Sequence, residues 1–81
     1  MFYAYVLKSI KDGSAYKGHC ENIQDRLKQH NSGKTKSIAN KTPFEVVYFE
    51  EFKTREEAIK KEKYFKSAAG RKYLKQKIKL L

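Results

Sequence analysis

Residues 2–8, Phe-Tyr-Ala-Tyr-Val-Leu-Lys, read as a β-strand that is apolar on both faces. Side chains alternate across a strand, so Tyr3, Tyr5 and Leu7 share one face and Phe2, Ala4 and Val6 the other. Such a strand is a central one, covered from both sides. The chain has 81 residues, which makes one domain with a small core, so residues 1–81 are expected to fold as a unit. Hydrophobic residues make up 40% and include six tyrosines and five phenylalanines, enough for a compact fold and against wholesale disorder.

Asp12-Gly13 gives a turn signal, and the chain returns through Ala15, Tyr16 and Lys17 as a second strand. The hairpin brings Tyr5 and Tyr16 close. Gly18 closes that strand and, lacking a Cβ, allows a backbone or ligand to approach. Asn22 is the expected N-cap of a helix, with Asp25 near the positive end of its dipole. Ile23, Leu27 and His30 follow at helical spacing, and Gly33 is a stop signal. Arg26 and His30 fall at the edge of the apolar stripe, where a helix packed on a sheet faces a cleft.

Residues 32–42 are polar and basic with no acid, and read as a loop ended by Pro43. Residues 44–52 give a third strand, with Phe44, Val46 and Tyr48 on one face and Val47 and Phe49 on the other. Thr54 and Glu57 form a capping box that opens a helix with Ala58, Ile59 and Phe65 as its apolar stripe. Gly70 is expected to break it, and a short last helix buries Leu74, Ile78 and Leu81.

The formal net charge is +10, from 16 lysines, three arginines (Arg26, Arg55, Arg71) and nine acids. That balance attracts polyanions, of which nucleic acid is the commonest. No apolar run approaches a membrane span of about 18 residues. Met1-Phe2-Tyr3 leads straight into strand-like sequence, with no signal-peptide pattern. The lone Cys20, read as a small buried apolar residue, excludes an internal disulfide framework and metal sites built on Cys pairs. It fits a reducing cytosol, so the expected location is cytoplasmic.

One acid stands out. Between Lys60 and Lys79 there are nine basic residues and a single acid, Glu62, which lies inside the apolar stripe between Ala58 and Phe65. A carboxylate aimed at a core costs several kcal/mol unless it is paired or holds a cation. Its bland reading is a partly buried salt bridge to Arg55 or Lys66. Bland readings also attach to Tyr5 and Tyr16 as a cross-strand aromatic pair worth about 0.2–1 kcal/mol, to Arg26 as a solvated helix residue, and to His30 as a helix-end residue bonding a carbonyl.

Taken together, these residues resemble the GIY-YIG nuclease family, in particular its small single-domain bacterial members. Tyr3-Ala4-Tyr5 stands where the family has Gly-Ile-Tyr, and Tyr16-Lys17-Gly18 where it has Tyr-Ile-Gly. Arg26, His30 and the helical Glu62 fall at its other active-site positions. The resemblance implies an α+β fold, a three-stranded antiparallel sheet flanked by helices in the order β-β-α-β-α-α. It also implies hydrolysis of DNA with one divalent metal held by Glu62. The family's usual base is the first-motif tyrosine, Tyr5 here, with Tyr16 orienting water or phosphate.

Phosphodiester hydrolysis needs an activated water, neutralised phosphate charge and help for the leaving oxygen. Glu62 suits Mg²⁺ (or Mn²⁺), a hard cation that takes oxygen ligands and keeps several waters. Arg26 offers bidentate hydrogen bonds to phosphate. His30 or a tyrosine can relay protons. A tyrosine base must be brought down from a pKa of about 10, for which Mg²⁺, Arg26 and Lys17 are the available charges. Lys17, His19, Lys34, Lys36, Lys41 and Arg71 are the expected nucleic-acid contacts, with His19 alternatively a bystander. The expected partner is DNA, supercoiled or branched, with RNA left open and the chain a monomer or weak dimer; repair, recombination and defence are all compatible. Two departures stand against the family pattern: Tyr3 and Ala4 replace Gly and Ile, and no Asn follows Asn40, where many members carry one after the Glu helix. Either another residue such as Arg71 covers that role or activity is weak or lost, which leaves a nucleic-acid-binding module on the same scaffold with little or no catalysis as the alternative.

Overall fold

Phe2–Ser9 (β1) is the middle strand of a three-stranded antiparallel sheet in the computed structural model, which describes residues 1–32 and 43–78. Ala15–Cys20 (β2) lies on one side of it and Phe44–Phe52 (β3) on the other. Ile23–Asn31 (α1) follows the hairpin, and Arg55–Lys66 (α2) and Ala68–Lys77 (α3) follow β3. The order β-β-α-β-α-α and the α+β class are those expected.

Both faces of β1 are buried, as its composition requires. Tyr5 and Leu7 pack with Cys20, Phe44 and the α1 residues Ile23 and Leu27. Ala4 and Val6 pack on the opposite face with Phe65 of α2 and Leu74 of α3. Fully burying a side chain such as Phe65 or Leu74 is worth about 1.5–3 kcal/mol, so these two helices are held mainly by that face. Cys20 is buried, as expected. Among the described residues no helix is long and apolar enough to cross a membrane.

Local signals set several boundaries. At the hairpin, Gly13 takes φ +77° and Asp12 Oδ1 accepts from the Ser14 backbone N–H at 2.9 Å. Asn22 caps α1 by accepting from the Asp25 N–H at 3.0 Å. Thr54 and Glu57 make the reciprocal capping box of α2.

Two expectations need correction. β3 does not alternate evenly. Its register on β1 pairs Leu7 with Val46 but Val6 with Tyr48, so Val47 is an extra residue, a β-bulge. Beyond the bulge the strand changes phase: Tyr48 and Phe52 join the α2/α3 side, while Phe49 packs edge-on against Tyr3 on the other. Second, the break between the last helices is at Ser67, which ends α2 and caps α3 by accepting from the Gly70 N–H at 3.0 Å. Gly70 lies inside α3 and is buried there. A Cβ on it would collide with the Tyr64 carbonyl, so glycine permits the two helices to meet at this angle. Ile78 packs partly buried as expected, while Gly33 and Leu81 lie outside the described residues.

Candidate active site

The edge strand β2 carries alternate side chains to opposite faces. Tyr16, Gly18 and Cys20 turn toward α1, and Lys17 and His19 toward α2. Gly18 pairs with Tyr5 across the hairpin. A Cβ on Gly18 would overlap the Tyr5 ring and hydroxyl, so the phenol of Tyr5 occupies the space a side chain would fill. At this rim of the sheet, side chains from both faces reach one opening. An open pocket of about 240 Å³ lies there, lined by Tyr5, Tyr16, Lys17, Gly18, His19, Arg26, Glu62 and Lys66.

Four of the five expected catalytic residues therefore meet: Tyr5 from β1, Tyr16 from β2, Arg26 from α1 and Glu62 from α2. Lys17 and His19, expected nucleic-acid contacts, line the same wall. Arg71 lies next door, in a cleft shared with Lys17 and Lys75. Lys34, Lys36 and Lys41 lie outside the described residues.

Glu62 is half-buried, with its side chain 18% exposed. Its Oε1 accepts from His19 Nδ1 at 2.6 Å and its Oε2 from Lys66 Nζ at 2.8 Å. Burial pushes its pKa up, but Lys66 and His19 together outweigh burial and hold it below the usual carboxylate value, so it is ionised at neutral pH. Lys66 was one of the two expected partners. Arg55, the other, is on the surface with Glu21, at 3.3 Å, and stacks over Phe2. Lys17, crowded by burial and by Arg71 and Lys66, has its pKa drawn down.

His30 stands behind the pocket rather than at its edge. It is only 3% exposed, enclosed by Tyr5, Tyr16 and Phe44. Its Nε2 lies 3.3 Å from the Tyr5 hydroxyl, and its Nδ1 has no hydrogen-bond partner among the described residues. Burial, then the Arg26 charge, lower its pKa, so the ring is neutral at pH 7. The neutral ring with its proton on Nδ1 accepts from Tyr5 at Nε2. A buried polar atom without a partner is rare and calls for an explanation beyond packing.

Tyr5 differs electrostatically from the expectation. Arg26 does pull its pKa down, but burial pushes harder, and Tyr16, Cys20 and Glu62 add to the rise. The net direction is well above that of free tyrosine, so Tyr5 is a protonated donor.

Two residues were not given their place by the sequence. His19 sits 43 positions from Glu62, and alternation along β2 puts it on the α2 side, but the docking position of α2 is not legible locally. Asn31 at the end of α1 grips the start of β3, its Oδ1 accepting from Phe44 N–H at 2.6 Å and its Nδ2 donating to Phe44 O at 3.1 Å. That clamp fixes the turn of helix carrying His30.

As a metal site this is sparse. Among the described residues no group of three or more His, Cys, Asp or Glu side chains gathers. A pocket of about 240 Å³ nevertheless has room for several waters, at about 30 Å³ each in the liquid. One ionised carboxylate on its wall suits a hard dication that keeps most of its hydration shell.

Residues 1–76 match the family model of the GIY-YIG catalytic domain. The chain is 42% identical over 79 residues to a UPF0213 protein of Bacillus licheniformis, covering 93% of this chain and 80% of that one. It is 39% identical over 74 residues to a UPF0213 protein of Staphylococcus saprophyticus, covering 90% and 89%. A third relative, UPF0213 protein YazA of Bacillus subtilis, is 39% identical over 69 residues, covering 84% and 69%. No solved structure matches the chain significantly.

Proposed function

The chain belongs to the GIY-YIG family, and from that premise we propose that it is an endonuclease that hydrolyses DNA phosphodiester bonds with a divalent metal, Mg²⁺ or Mn²⁺. It acts as one domain, residues 1–81, in the cytoplasm, as a monomer or weak dimer, on substrates such as supercoiled or branched DNA, with repair among the processes served. The observation that carries this reading is the convergence of Tyr5, Tyr16, Arg26 and Glu62, from four separate elements, on one open pocket.

Roles follow from chemistry. Glu62 would hold the metal, which when bound would supply positive charge to the phosphate and help ionise the attacking water. Arg26 grips phosphate oxygens, and Lys17 and Lys66 add charge for the leaving oxygen. Tyr16 orients the attacked phosphate. Tyr5 takes the proton of the attacking water at its hydroxyl oxygen while passing its own to His30 Nε2. In such a relay no phenolate accumulates, so the raised pKa of Tyr5 is no obstacle. His30, neutral through burial, is ready to accept. Lys17, His19 and Arg71 continue the basic surface beside the pocket and contact the backbone of the nucleic acid, and Lys34, Lys36 and Lys41 are assigned the same role.

A cleavage panel of duplex, flap, junction, single-stranded and supercoiled DNA, with and without Mg²⁺, tests the proposal. Metal-dependent nicking, lost in Glu62→Ala with the fold intact, is the expected result. Intact cleavage by that variant removes Glu62 as metal ligand.

The second reading is a nucleic-acid-binding module with little or no catalysis. It is favoured by the engagement of both Glu62 oxygens, by His19 and Lys66. It predicts salt-dependent binding of DNA or RNA, with a steep slope of log K against log salt, and no metal-dependent product.

A further inference from the structure

We infer that His19 is a second protein ligand beside Glu62, making a mixed nitrogen–oxygen site that selects Mn²⁺ over Mg²⁺. The inference rests on the reading that Glu62 holds a divalent ion, and it concerns what that ion is.

An imidazole from β2 and a carboxylate from α2, 43 residues apart in sequence, meet with Nδ1 and Oε1 separated by 2.6 Å. Neighbouring ligands on an octahedral ion with bonds of about 2.1 Å stand about 3.0 Å apart. Opening the pair by a few tenths of an ångström therefore lets one ion sit against both atoms. Both side chains reach solvent through the pocket, His19 at 32% exposure and Glu62 at 18%. An entering ion need not unpack the core.

What the ion displaces is also at hand. An ionised carboxylate only accepts, so His19 now carries a proton on Nδ1. To ligate, the ring would release the Nδ1 proton to solvent and carry its proton on Nε2, which frees the Nδ1 lone pair. Lys66, on the other oxygen of Glu62, is 55% exposed on a flexible stem and is free to swing off as the dication arrives. Its ammonium stands in for the metal charge until then. Further His, Cys, Asp or Glu ligands are not gathered among the described residues, so water and phosphate oxygens fill the remaining positions.

The nitrogen donor sets the preference. Mg²⁺ demands oxygen ligands and gives up water reluctantly. Imidazole favours transition ions; Mn²⁺, the weakest binder of the first-row series, shares the taste of Mg²⁺ for oxygen but gains more from a nitrogen donor than Mg²⁺ does. An all-oxygen site with one carboxylate would discriminate little between the two.

The experiment uses the full chain without DNA. Mn²⁺ binding is titrated by the electron paramagnetic resonance signal of the free ion, Mg²⁺ is measured by competition, and bound Mn²⁺ is examined for ¹⁴N modulation of its spin echo. The expected result is Mn²⁺ bound about tenfold or more tighter than Mg²⁺, with a histidine nitrogen signal. His19→Gln loses that signal and most of the preference, His19→Asp keeps dication binding without the preference, and Glu62→Gln loses both ions; melting curves verify that each variant is folded. Mn²⁺ bound with no nitrogen signal, a preference unchanged in His19→Gln, or no binding of either ion overturns the assignment. A chain that binds Mn²⁺ through nitrogen yet cuts no DNA overturns the hydrolase reading and leaves this one standing.

Discussion

Two half-buried carboxylates sit on the α2/α3 side of the sheet, and they are built for different ends. Glu50, on β3, accepts from the Tyr48 hydroxyl at 2.6 Å and the Tyr73 hydroxyl at 2.5 Å, with Lys61 at 3.6 Å. Lys61 is itself seated over the rings of Tyr73 and Tyr64, at 4.5 and 5.0 Å. Glu62, on α2, is held by His19 and by an exposed lysine at the wall of an open pocket. In both, burial raises the pKa and hydrogen bonds more than reverse it. The lesson is that a buried acid on its own does not mark a site. What separates them is whether the partners can leave: two packed phenols cannot, while Lys66 can.

Exchanging the two roles by mutation should therefore give opposite outcomes. Glu62→Ala is expected to reduce metal-dependent cleavage by about a thousandfold or more while moving the melting temperature little, measured by nicking assay and thermal melt. Glu50→Ala should do the reverse. It strands two phenols and costs about 2–3 kcal/mol, a fall in Tm of about 10–20 °C for a domain of this size, with cleavage per folded molecule retained.

Gly18→Ala sharpens the contrast from the side of the pocket. Its new methyl group must displace the Tyr5 phenol, and kcat is expected to fall about a hundredfold with KM for DNA nearly unchanged. A variant with wild-type kcat would separate Tyr5 from the chemistry.

The pH response is the smallest effect and reads both regions. His30 has its pKa lowered from 6.5 by burial, so the folded state prefers it neutral. The stability it contributes is complete above about 6.5 and is lost as pH falls below that value toward the folded-state pKa. The acid limb of kcat/KM should have its midpoint below 6.5 and disappear in His30→Gln. Glu50 and Glu62 have pKa values lowered from 4.5, so their contribution is present above 4.5 and lost as pH falls through the folded-state values. The acid limb of Tm against pH should flatten in Glu50→Gln and in Glu62→Gln.

Much of this was legible along the chain because its causes are local. The two-faced composition of β1 required cover on both sides, and Asn22 and Thr54 carry their caps within three residues. Lys66 could be paired with Glu62 because they are one helical turn apart. Where the cause is a distant element, the residues give no sign. The Val47 bulge is a property of pairing with β1, not of β3 alone. Gly70 looks like a helix breaker and is a contact point between helices. His30 looks like a cleft residue by its angle on α1, and the aromatic rings that enclose it come from β1, β2 and β3. His19 reaches Glu62 only once α2 lies across β2.

The extra residue at Val47 makes β3 a strand with two identities. Its first half answers to α1 and its second half to α2 and α3. If that residue took an ordinary place in the ladder, the far end would turn over like a page: Tyr48, Glu50 and Phe52 would be delivered to the α1 side, and Phe49 and Glu51 would arrive in their place. Deleting it instead leaves Val46 opposite Leu7 and Tyr48 opposite Val6, so the ladder closes and the far end keeps its faces. A single-codon deletion would therefore leave in place the seat on which the last helix rests.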